Sequence, residues 1–161
     1  MTIQARFITS DDLPELIEMI EMISDLARFH NDEPQIRLCD LQRDMLGAQP
    51  WCTVIIAEGA QGDLLGYAAL FAHGQLQFGR RALDLHHHFI RPAARGQGVG
   101  SMLIDACRAH ARALHCGFMT VGTSPTNHKA AAFYESRGFE RRTGDAPRFA
   151  MILEGSDQPP T

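Results

Sequence analysis

The chain has 161 residues, 45% of them hydrophobic and 21% charged, with a formal net charge of −4 and a pI near 6.0. That length suits one domain with a real core rather than two, and the acidic balance supplies no basic field for nucleic acid, which mildly favours a cationic substrate. No apolar run reaches the roughly 18 residues of a membrane span, and the opening MTIQARFITS lacks the apolar segment of a signal peptide, so a cytoplasmic protein with no membrane or nucleic-acid partner is expected.

In chain order, IQARFI alternates as a strand does. SDDLPELIEMIEMISDLARFH carries a Ser or Asp cap, an early proline and apolar residues at helical spacing. After the turn-like NDEP, a second, short helix is expected around CDLQRDML, with Gly47 as its stop. WCTVIIAE and LLGYAALF are two strands joined by the glycine-bearing loop GAQGD, and RRALDLHHHFI is a fourth. A glycine turn leads into the helical SMLIDACRAHARALH. FMTVGT is a strand, NHKAAAFYESRGF a helix closed by Gly138, and strands are expected at Phe139–Arg142 and Phe149–Leu153 before the polar tail EGSDQPPT, expected to be disordered. Strands clustered early and helix–strand alternation late predict an α/β or α+β mixed sheet with helices on both faces.

Cys39, Cys52, Cys107 and Cys116 show no C-x-x-C pairing, which fits reduced thiols. Cys107, His110, His115 and Cys116 are zinc-type ligands close in sequence, but Cys107 and His110 fall on the face assigned to the core, so no metal is expected.

The stretch RPAARGQGVGSM, residues 91–102, has the most specific chemistry. Glycines between a strand and a helix leave backbone N–H groups bare at a helix start, where the dipole adds roughly half a positive charge, and such a site binds phosphate. The P-loop pattern fails because no lysine follows Gly100. The dinucleotide fingerprint fails because Ser101 and Leu103 stand where it needs glycine. The letters that fit are Arg95-x-x-Gly98-x-Gly100, and some thirty residues later Asn127, Ala130, Phe133, Tyr134, Gly138 and Phe139 follow the order N-x-x-A-x-x-F-Y-x-x-x-G-F. In these two motifs the chain resembles the GCN5-related N-acetyltransferase (GNAT) family, over roughly residues 3–153.

The resemblance implies a mixed, mostly antiparallel sheet of six to seven strands with helices on both faces, in one N-acetyltransferase domain over residues 1–155, with 156–161 as a disordered tail. It implies acetyl-CoA as cosubstrate, with the amides of Gly96, Gln97, Gly98, Val99, Gly100 and Ser101 cradling the pyrophosphate and Arg95 starting the loop. Pantetheine would pair with the backbone near His88, Phe89 and Ile90, and Asn127 would lie near the thioester. A homodimer is likewise implied by resemblance alone.

Acetyl transfer to an amine needs a neutral nitrogen and a proton for the departing thiolate. A primary amine is neutral only about one part in a thousand near pH 7, so assisting its deprotonation matters by up to about 4 kcal/mol. Tyr134 suits the acid, because a phenol stays protonated until needed, and the matching tyrosine of the family has that role. Unbroken alternation would send Asp84, His86 and His88 to one face of the fourth strand and Leu85, His87 and Phe89 to the other, unless a bulge intervenes. His86 and His88 are then the candidate bases, with His86 favoured, and a metal shared by Asp84, His86 and His88 is not expected.

Within the family the chain looks most like the diamine and polyamine branch. That branch usually carries an acidic pair on the fourth strand, where this chain has His86 and His87. Asp25, Asp32, Glu33 and Asp40 could hold a cationic tail. The expected acceptor is a small primary amine, polyamine-like or amino-acid-like. The alternatives are a protein or peptide N-acetyltransferase and a non-catalytic CoA-binding module.

Overall fold

The structure is a computed structural model that describes residues 3–142, Phe149 and Met151. Nine principal elements follow in order among the described residues: β1 (Gln4–Phe7), α1 (Leu13–Phe29), α2 (Leu38–Leu46), β2 (Thr53–Glu58), β3 (Leu64–Gln75), β4 (Arg80–Ile90), α3 (Val99–Ala113), β5 (Phe118–Val121) and α4 (His128–Ser136). The strands form one sheet in the order β1-β2-β3-β4-β5, antiparallel except for the parallel β4–β5 pair.

Both faces of the sheet are buried, and β2 shows why its sequence is an unbroken apolar run rather than an alternating one. Ile55 and Ala57 pack under α3 against Leu103, Ile104 and Cys107. Val54 and Ile56 face the other way, toward Leu16, Met19 and Met22 of α1 and Leu41 of α2. The three α1 side chains recur at a spacing of three, the helical period that puts them on one face.

Asp12 stands at the N-cap of α1 without capping the helix by its side chain. Its carboxylate instead takes a bidentate pair from Arg6, at 2.8 and 2.9 Å, and accepts the Thr9 N–H and hydroxyl, while the same guanidinium reaches both oxygens of Glu58 at 3.0 Å. This network ties β1, α1 and β2 together. The Arg6 hydrogen bonds outweigh the cost of burial and hold Asp12 down at a pKa of about 2.

Two details of β4 position the site. Ala69 of β3 pairs with His87 while its neighbour Leu70 pairs with Leu85, so His86 is the extra residue of a bulge. Pairing with β5 then stops at Leu85–Val121, so β4 runs on through residues 86–90 without a β5 partner.

The described sheet has five strands. Phe139–Arg142, expected as a strand, are not one: Gly138 closes α4 at φ +91° and Phe139 folds back so that its ring meets Tyr134 edge-on at 5.7 Å. The strand expected at Phe149–Leu153 and the tail at 156–161 lie outside the described residues, apart from Phe149 and Met151.

Candidate active site

The turn between β4 and α3 has the form its glycines predict. After a 3-10 turn over Pro92–Ala94, Gly96 and Gly98 take left-handed φ values of +76° and +84°, which an L side chain rarely adopts, and Gly98 is the N-cap of α3. The helix therefore begins at Val99, two residues before the apolar run that announced it. Met102 N–H, bonded to Gly98 O at 3.0 Å, is the first amide with a helical partner. Among the described residues, the N–H groups of Gly96, Gln97, Gly98, Val99, Gly100 and Ser101 donate to no protein acceptor.

The loop is braced from behind, by Arg95 Nε–H on Ile90 O at 3.0 Å and Gln97 Nε2–H on Ala93 O at 2.9 Å. Its front is open, since a Cβ built on Gly96 or Gly98 would meet nothing within 4 Å. Gly100 is different. A Cβ there would come within 3.3 to 3.4 Å of Ile90, His88 and Phe133. These bare donors at the start of a 15-residue helix suit a diphosphate.

Beside the turn, β4 has no partner strand on its β5 side at His88, Phe89 and Ile90 among the described residues, although the Ile90 carbonyl already accepts Arg95 Nε–H. The Phe89 side chain is buried toward α1, whereas Ile90 packs against the α3 side. The His88 ring stacks on Phe133 at 5.7 Å, its Nε2 lies 3.2 Å from Gly100 O, and its Nδ1 lies 3.4 Å from the Tyr134 hydroxyl. Burial pushes the Tyr134 phenol up to about 12 and the His88 imidazole down to about 4, so near neutrality the phenol is protonated and the imidazole uncharged. Asn127 is the N-cap of α4 and its Oδ1 accepts Ala130 N–H at 3.0 Å, so that oxygen starts the helix bearing Tyr134.

The bulge corrects one expectation. Asp84, His86 and His88 do not share a face, because the extra residue at 86 reverses the alternation beyond it. His88 turns toward α3 and α4. His86 stays on the other side, its ring stacked on His87 at 4.8 Å and edge-on to Phe71 at 5.0 Å, with Nδ1 3.9 Å from Asp84. Asp84 in turn accepts the hydroxyl of Thr120, whose oxygen lies 3.1 Å from His73 Nε2.

In the sequence His87 is noted only as standing where the polyamine branch carries an acid, and it is not among the candidate site residues. It lies 2.9 Å from the Tyr67 hydroxyl, and burial, helped by the charges of His86 and His30, pushes it down to about 4. Only three-dimensional pairing marks it, because Tyr67 comes from the middle of an apolar strand. Asp84, His86, Thr120 and Tyr134 all line one cleft of about 1400 Å3.

A mixed sheet parted between its fourth and fifth strands, with a helix start of bare amides and a half-buried phenol at the parting, is an arrangement that suits acyl transfer. A sequence model of the Acetyltransferase (GNAT) family matches residues 16–139, and the chain belongs to that family. It is 29% identical over 92 residues to an uncharacterized N-acetyltransferase, YhfO, of Bacillus subtilis (strain 168), a match spanning 57% of this chain and 62% of that relative. It is 25% identical over 147 residues to the thialysine N-epsilon-acetyltransferase of Mus musculus, covering 86% of each. Among solved structures, an aminoglycoside acetyltransferase from an uncultured soil metagenomic sample superposes with a TM-score of 0.77 at 15% identity, over 94% of this chain and 97% of the other, which shows the shared fold.

Proposed function

We propose that this acetyltransferase moves the acetyl group of acetyl-CoA to the primary amine of a small molecule, polyamine-like or amino-acid-like, by direct attack on the thioester. The observation that carries the reading is the set of bare amides from Gly96 to Ser101 at the start of α3, with open space around Gly96 and Gly98, next to the stretch of β4 that has no β5 partner. With the diphosphate held there and pantetheine along His88–Ile90, the thioester comes to the parting of β4 and β5.

The bulge divides the labour between two sides of β4. Tyr134, on the α3 side, gives its phenolic proton to the departing thiolate. His86, on the opposite side and more than half exposed, takes a proton from the bound ammonium, directly or through water, and passes it to solvent, leaving the neutral amine that attacks. Nitrogen joins the carbonyl carbon as the carbon–sulfur bond breaks. The second N–H proton, shed as the amide forms, makes good through water the one Tyr134 gave to sulfur, so of the two protons the ammonium loses one ends on the thiol and one in solvent.

The mouse relative that matches most of this chain acts, by its name, on the side-chain amine of thialysine, which supports a small amine as acceptor. The test is release of free CoA thiol across polyamines, thialysine, amino acids, aminoglycosides and peptides. Turnover with a small amine supports the reading. Turnover with peptides alone, or acetyl-CoA binding without turnover on any amine, overturns it.

A further inference from the structure

We infer that His88 is the positioning residue of Tyr134, holding the phenol in place through Nδ1 while its Nε2–H is anchored on the carbonyl of Gly100. The inference rests on the proposed acetyl transfer for its catalytic meaning, and on geometry for the pair itself.

The argument begins at Gly100. A carbonyl only accepts, so the 3.2 Å contact from His88 Nε2 to Gly100 O requires the hydrogen on Nε2. The ring is kept neutral by burial, and a neutral imidazole has one hydrogen, so Nδ1 is bare. The group facing that bare nitrogen is the Tyr134 hydroxyl at 3.4 Å, which therefore donates. The tautomer of one residue thus fixes the direction of the next bond.

Packing leaves the ring little freedom to do otherwise. Phe133 stacks on one side of it, and Gly100 packs beside it, since a Cβ there would stand in contact with His88 Cε1 at 3.4 Å. The third glycine of the turn therefore has surroundings the first two do not share. Gly96 and Gly98 face open space, whereas Gly100 lies against Ile90, His88 and Phe133. One side chain on β4 thereby joins the first turn of α3, where the diphosphate is proposed to sit, to the phenol proposed to protonate the thiolate.

In the reaction the phenol turns about its C–O bond from Nδ1 toward the sulfur as negative charge builds there, and the O–H proton passes to the thiolate. His88 neither gains nor loses a proton. Its contribution is to keep the hydroxyl aimed and to stop it pairing elsewhere between turnovers, which makes it a positioning residue rather than an acid or base.

The experiment combines a spectrum with a set of variants of the full chain. Long-range proton–nitrogen NMR of the imidazoles should show His88 with a protonated Nε2 and an unprotonated Nδ1, and Tyr134→Phe should shift the Nδ1 resonance. A His88 resonance with the hydrogen on Nδ1 overturns the inference. In turnover, His88→Phe should lower kcat roughly tenfold or more with the KM for acetyl-CoA changed less than about threefold. His88→Asn, which puts an acceptor oxygen near the place of Nδ1, should recover most of that loss. In the Tyr134→Phe background His88→Phe should have no further effect on kcat, because it acts through the phenol. Losses that multiply in the double variant, or a His88→Phe chain as fast as wild type, overturn the assignment. A wild-type chain that releases no thiol with any amine overturns the proposed function instead, and the nitrogen spectra decide the pair on their own.

Discussion

Leu85 and His88 face the same side of β4, although residues three apart on an unbroken strand point to opposite sides. Leu85 packs in the core under α3, and His88 reaches Gly100 at the start of that helix. The bulge at His86 is what permits both. It places one imidazole beside the half-buried phenol of Tyr134 and leaves His86 and His87 on the opposite face of the strand.

Gly98→Glu should remove acetyl-CoA binding. The substitution puts a carboxylate among the bare amides and a side chain on a residue at φ +84°, so affinity should fall by roughly a hundredfold or more. Isothermal titration calorimetry measures it, with circular dichroism to confirm the fold. Gly98→Ala adds only the strain and should lose far less.

Tyr134→Phe should lower kcat about a hundredfold, the low end for a general acid, and leave the fold intact. Thiol release measures it. Undiminished turnover in a folded variant removes the phenol from the mechanism.

His86→Ala should slow transfer most near neutral pH. As the pH rises toward 10 more of the amine is neutral without help, so the deficit against wild type should shrink. A ratio of wild-type to variant rate that stays constant from pH 7 to about 9.5 would show that His86 takes no part in deprotonation.

The Arg6–Asp12–Glu58 network should make stability fall in acid. The folded-state pKa of Asp12 is depressed to about 2, below an unfolded value near 3.9, so its contribution is complete above about pH 4 and lost as the pH falls through 2. Asp12→Asn should cost about 2 kcal/mol at pH 7, measured by urea unfolding, and the difference should vanish near pH 2.

His87 and His88 should act over a higher window. Their folded pKa values are depressed to about 4 by burial, below about 6.5 in the unfolded chain, so between these values the unfolded chain binds protons that the folded one does not. Stability should fall as pH drops from about 6.5 to about 4, by up to about 1.4 kcal/mol per unit for each ring, and His87→Phe should reduce the slope.

The sequence made some parts of this molecule legible and hid others. The glycine turn could be read from its letters, since Gly96 and Gly98 are needed for their φ values and the helix behind them is strongly periodic. The buried face of α1 was equally plain in the spacing of Leu16, Met19 and Met22. The facing of the β4 histidines could not be read, because a bulge shifts register by one residue and HHH offers no contrast to mark where. The bond from His88 to Tyr134 joins residues 46 apart in the chain, and only the folded neighbourhood of Gly100 sets its direction.

The account depends most on the bare amides gripping a diphosphate, and amide proton–nitrogen spectra recorded as acetyl-CoA is added test this most directly. The resonances of Gly96, Gln97, Gly98, Val99, Gly100 and Ser101 should shift together and saturate with the binding curve. Saturation with those six unmoved, or no binding at millimolar acetyl-CoA, would contradict it.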